Sequence, residues 1–214
     1  MKNNQRKIIF LLFLVFSLMC IIGANATSKN GNMFELGKNY KETTASNSSV
    51  VVATYNGHEI TQAMVDSEQK TCAISGESRQ SVNLSNRAAI DNIIKRIMLV
   101  EEAENLGLAA TDAEIEEMVD AVKAAYDIPE GKEIVDAYCA GAGISVESYF
   151  DIVRERAPRI IARQKLKDYV GQQFCAEHGI EFTKVNPPEE VLTAEQNYIE
   201  DLFAARAANI NYIR

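Results

Sequence analysis

Apolar positions along this chain recur mostly three and four residues apart, and they alternate with polar ones only near Val52 and at the C-terminus. Val50 to Tyr55 is a short β-type run. Asn56-Gly57 after it is a hairpin signal, with His58-Glu59-Ile60 as the return strand. Thr61 can cap a helix running into the seventies, and the polar stretch Gly76 to Ser85 reads as a loop. From Asn86 to Leu106 the pattern is strongly helical. Ile90, Ile93, Ile94, Ile97 and Met98 share one face and Leu99, Ala103 and Leu106 form a second, so packing neighbours are expected on two sides. Gly107 closes this helix, and Thr111-Asp112-Ala113-Glu114 is a capping box opening another that runs to about Tyr126. A further helix spans about Glu130 to Ala140 and ends at Gly141 and Gly143. Ser145 caps a long helical pattern with Val146, Tyr149, Phe150, Val153, Ala157, Ile160 and Ile161 on one face. Pro158 predicts a kink or two abutting helices there. Beyond Gln164 the apolar residues shift to other faces, so the second half should meet a different neighbour. Glu189 to Ala207 is a last helix, and Asn209 to Arg214 alternates like a half-buried strand.

A strand cannot satisfy its backbone alone, so Val51 to Tyr55 and Ile210 to Ile213 are expected to pair. The prediction is a mainly α domain over residues 50–214, with a small antiparallel sheet made by its own two ends. Ahead of it, residues 27–49 are rich in Ser, Thr, Asn, Lys and Gly and read as a disordered linker or tether. Residues 1–26 carry Lys2, Arg6 and Lys7, an apolar run from Ile8 to Ile22, and Ala24-Asn25-Ala26: the order of a secretory signal peptide, cleaved after Ala26. Retention as a membrane anchor and lipidation at Cys20 are the alternatives. All three place the rest outside the cytoplasm, secreted or attached to the outer face of the membrane.

Charge then narrows the function. The 214 residues carry a net −8. Losing Lys2, Arg6 and Lys7 with the leader takes that to −11, which repels polyanions and argues against nucleic-acid binding. Neither G-x-x-x-x-G-K-[ST] nor G-x-G-x-x-G occurs, so no nucleotide cofactor is implied. The mature cysteines Cys72, Cys139 and Cys175 form no C-x-x-C pair, and His58 and His178 lie far apart, so no metal site is implied. One disulfide or three buried thiols both fit. The acidic pairs Glu101-Glu102, Glu116-Glu117 and Glu189-Glu190 point about 100° apart on a helix and read as solvated faces rather than as catalytic pairs.

The run from Val51 to Thr61 resembles the "V-A-x-V-N-G-x-x-I-T" opening of SurA/PrsA-type extracytoplasmic foldases. Ala89 to Ile94 with Glu101, Ala103, Leu106-Gly107-Leu108 and Thr111 to Ile115 is similar to that family's first helix pair. Ile144 to Tyr149 with Lys165-Leu166 resembles its third block, and Tyr198 to Ile213 its closing segment. The family's parvulin isomerase domain has no place here: only about ten residues separate Gly179 from the last helix, where a domain needs at least about 50. The resemblance thus implies the helical chaperone module without a catalytic domain. It would bind unfolded secreted polypeptides without ATP, and Tyr126, Tyr138, Tyr149 and Phe150 are the candidate client surface. Two alternatives stand beside it. One is an isomerase-family member with residual or no activity. The other is a membrane-surface binding subunit using the basic strip Arg154, Arg156, Arg159, Arg163, Lys165 and Lys167.

Overall fold

The computed structural model describes residues 26–46, 50–75 and 84–213. The signal-peptide segment lies outside them except for Ala26, as does most of the stretch expected to be a loop after the first hairpin helix. The chain runs α1 (Ala26–Ala45), β1 (Val51–Tyr55), β2 (His58–Thr61), α2 (Gln62–Ser75), α3 (Asn86–Asn105), α4 (Asp112–Tyr126), α5 (Pro129–Ala142), α6 (Val146–His178), α7 (Glu189–Arg206), a 3-10 turn (Ala207–Asn209) and β3 (Ile210–Tyr212). The fold is mainly helical with one small antiparallel sheet of order β2-β1-β3.

The two ends of the domain do pair. Ala53, Thr54 and Tyr55 face Tyr212, Asn211 and Ile210, and the Ile213 amide donates to the Val52 carbonyl at 2.9 Å. Asn56 (φ 47°) and Gly57 (φ 84°) form the β1–β2 turn, where both central residues need positive φ. Beneath the sheet, Ala53, Tyr55, Ile60 and Val65 pack on Ile90, Ile94 and Met98 of α3. The opposite face of α3 buries Leu99 and Ala103 against Ala162 and Leu166 of α6, so α3 has its two neighbours. Thr111 closes the capping box with Glu114, and Ser145 caps α6 through the Ser148 amide.

Two expectations are corrected. Residues 27–49 are not a tether throughout, because α1 is a helix packed along α5, with Met33 buried and Leu36 and Tyr40 half-buried. The stretch is poor in large aliphatics, and its packing comes from backbone proximity instead. A Cβ on Gly37 would stand 2.1 Å from the Tyr138 carbonyl oxygen, and one on Gly141 would stand 2.0 Å from that of Phe34. Gly141 is therefore interior to α5 rather than its end. Buried Asn39 adds a polar tie, donating from Nδ2 to the Ser67 carbonyl and Thr71 hydroxyl of α2, both at 3.0 Å. The second correction concerns Pro158, which does not divide the pattern into two abutting helices but sits inside one continuous 33-residue helix. A helix-interior proline costs about 3 kcal/mol. Packing against α3, α4, α5 and α7 along the length of α6 offsets it.

Helix α7 lies back along α6 and is fastened at its C-terminal end. Arg206 pairs with both Glu101 and Glu102 of α3. Glu101 also accepts from the Tyr55 hydroxyl at 2.9 Å and lies 3.3 Å from His58 Nε2. Glu101-Glu102 is thus a half-buried hub joining hairpin, α3 and α7, not a solvated face.

Candidate functional site

All four proposed client residues come together, Tyr138 and Tyr149 as core and Tyr126 and Phe150 half-buried against it. Tyr126 ends α4, Tyr138 lies on α5, and Tyr149 and Phe150 stand in the first turns of α6. Their ring centroids are 5.4 Å apart for Tyr138–Tyr149, 5.9 Å for Tyr149–Phe150 and 6.0 Å for Tyr126–Phe150. These are edge-to-face contacts of the kind aromatic rings favour. Tyr138 is 6% exposed and Tyr149 2%, so neither presents a surface to a client. Burial pushes the Tyr138 hydroxyl up to about 12 and raises that of Tyr149 further. Tyr126 and Phe150 are half-buried at the edge, and the Tyr126 hydroxyl is held by Lys132 (2.7 Å) and Asp136 (3.1 Å). The quartet joins α4, α5 and α6 into one unit, with Tyr40 of α1 beside Tyr138 at 6.2 Å.

The basic strip is likewise largely spent on structure. Arg154 donates to both oxygens of Glu116 on α4, at 2.8 and 3.0 Å. Lys165 reaches Glu114 and the Ala109 carbonyl, and Arg156 lies over the Tyr40 ring at 5.2 Å. Asp168 pairs with Lys184 at 2.6 Å rather than with a cation of the strip. Each pair with α4 holds its carboxylate below the usual range: Arg154 at Glu116, and at Glu114 first the Thr111 backbone amide and then Lys165.

The open concavity lies at the other end of α6. Tyr169, Val170, Gln173, Phe174 and Glu177 form one face of its last turns. Glu189, Glu190, Thr193, Ala194, Asn197, Tyr198 and Asp201 form the facing side of α7. Both sets follow the three-and-four spacing of a single helix face. Together they enclose a groove of about 910 Å³. Gly179 in the left-handed conformation (φ 67°) ends α6, and the link through Pro187-Pro188 returns the chain as α7. Gly171 lets that link and α7 approach closely on one side, since a Cβ there would meet Phe182 at 2.8 Å and Val191 at 3.1 Å. The adjoining face stays open. Its floor is aromatic: Tyr169 is 38% exposed, Phe174 stacks on His178 at 4.1 Å, and Tyr198 donates its hydroxyl to Glu102 at 3.3 Å. Four carboxylates line the groove and no Lys, Arg or His does.

Neither a protein-family model, nor a curated protein, nor a solved structure matches this chain. Chemistry must therefore be read from the groove itself. The one hydroxyl on a wall besides the tyrosines, Thr193, donates to its own helix at the Glu189 carbonyl. Among the described residues no side-chain base is hydrogen-bonded to that hydroxyl. Among the described residues no His, Cys, Asp and Glu are grouped to hold a metal ion, and no described helix is long and apolar enough to cross a membrane. Cys139 is buried with its thiol directed at the Ser145 carbonyl (3.8 Å), and Cys175 is a buried residue of α6 itself. Of the groove residues the sequence singled out only Glu189-Glu190, as a solvated pair, and it did not bring them together with the end of α6. The signal that could have found them was the apolar shift beyond Gln164, which says that the end of α6 meets a separate neighbour.

Proposed function

We propose that this protein is an extracytoplasmic, ATP-independent chaperone that holds unfolded secreted polypeptides in the groove between α6 and α7. One observation carries the reading: an aromatic-floored groove stays open to solvent in a domain whose other large aromatic cluster is packed shut. Such a surface binds extended chains by burying their apolar side chains, at about 25 cal/mol per Å² removed from water, and needs no cofactor or covalent step. The terminal strand pairing and the α3–α4 succession agree with the resemblance to the foldase module. The basic-then-apolar order of residues 1–26 supports export.

The test is light scattering of a chemically unfolded secreted protein diluted into buffer. The protein should suppress aggregation at near-stoichiometric ratios with or without ATP, and Asn197→Trp, which fills the groove from an exposed position, should weaken that suppression. Unchanged scattering across several clients contradicts the proposal.

A further inference from the structure

The groove's charge singles out one class of client. Elsewhere in the molecule, several carboxylates between packed helices are matched with cations: Glu68 with Arg96, Glu114 with Lys165, Glu116 with Arg154 and Glu200 with Lys95. Glu177, Glu189, Glu190 and Asp201 are not, for none forms an ion pair with any described residue. Helix stability explains only half of them. Glu189 and Glu190 stand in the first turn of α7, where the helix dipole favours an anion. Glu177 stands in the last turn of α6, where the dipole disfavours one, and Asp201 lies about three turns along α7. Unmatched like charges along an apolar-walled cleft focus a negative potential and concentrate cations in it.

We infer that the groove selects extended polypeptide segments in which Lys or Arg flanks a short apolar stretch; this rests on the groove being the client site. The geometry sets the spacing. Tyr169 to Glu177 spans about 12 Å of helix, room for about four residues of extended chain. Three carboxylates (Glu177, Glu189 and Glu190) stand where the two helices are joined, and Asp201 stands toward the far end. The aromatic rings of Tyr169 and Phe174 lie on the floor of the same groove. A segment with two or three apolar residues and a cation at each end matches that layout. An acidic segment or an anionic headgroup is repelled by it.

Fluorescence anisotropy on the protein recovered from an expressing cell, with its natural N-terminus, tests this with three labelled peptides. They share one Leu/Phe core and differ in flanking Lys, Ser or Glu. The Lys-flanked peptide should bind about tenfold tighter than the Ser-flanked one at low ionic strength, and most of that advantage should vanish at about 0.3 M salt. The exposed pair Glu177→Gln with Asp201→Asn should weaken the Lys-flanked peptide roughly three- to tenfold and move the Ser-flanked one by less than about twofold. Glu177→Lys with Asp201→Lys should turn the preference toward Glu flanks. Equal binding of the three peptides, or a preference that survives both variants, overturns the charge selection while leaving the client site in place. Failure of all three to bind, with aggregation suppression intact, overturns it together with the groove as the client site.

Discussion

The two ends of α6 carry similar side chains and use them in opposite ways. In its first turns Tyr149 is enclosed and Phe150 half-buried among α4, α5 and α1, and two of the cations that follow, Arg154 and Lys165, are matched to acids on α4. In its last turns Tyr169 and Phe174 are covered on one side only, by α7, and the four acids lining the groove form no ion pair with any described residue. Residue type does not separate the two; the number of neighbouring helices does. An aromatic ring becomes core when three elements converge on it and becomes a binding surface when two do.

The largest test of this contrast is truncation at the closed end. Tyr149→Ala should cost about 3–5 kcal/mol in urea unfolding, the range for emptying a packed aromatic site. Tyr169→Ala at the open end should cost under about 1 kcal/mol while reducing client holding. Equal losses at both ends would erase the distinction. Charge repeats the pattern at somewhat smaller size. Glu68 is 9% exposed and takes two hydrogen bonds from Arg96 (2.7 and 2.6 Å), so Glu68→Ala should destabilise by about 3 kcal/mol. Glu177→Gln should leave the unfolding free energy within about 0.5 kcal/mol.

Next comes the glycine seam that completes the closed end. Gly141→Ala places a methyl against the Phe34 carbonyl and should cost about 1–3 kcal/mol, with α1 becoming the first segment cut in limited proteolysis. Retained protection of α1 would contradict the seam. The smallest effect is a pH dependence. Glu114 and Glu116 are held below their ordinary 4.5 by their partners, so their contribution is present above about 4.5 and is lost as pH falls through the lowered values. Thermal melts should show that decline, and Arg154→Met should flatten the part owed to Glu116.

Much of the frame was legible from the chain because local chemistry determines it. Asn56-Gly57 requires the hairpin turn, Thr111 and Glu114 cap each other, and the C-terminal strand signal has only the N-terminal hairpin to pair with. Composition hid α1, since Met33, Leu36, Gly37 and Tyr40 keep a helical period while the segment around them is polar. Its packing depends on Gly141, which lies over a hundred residues away. Pro158 does not end its helix because tertiary contacts on both sides override its local cost. Tyr138 and Tyr149 could not be told from surface residues until the convergence of α1, α4 and α5 was known. The groove stayed hidden for the same reason, its second wall being another helix.

Site-specific photo-crosslinking measures the central claim most directly. A photoreactive amino acid is placed at Gln173 or Asn197 in the groove, or at Tyr126 beside the aromatic core, and each protein is illuminated with an unfolded secreted client. Client adducts are expected from Gln173 and Asn197 and few from Tyr126. Adducts concentrated at Tyr126, with the groove positions silent, would contradict that claim.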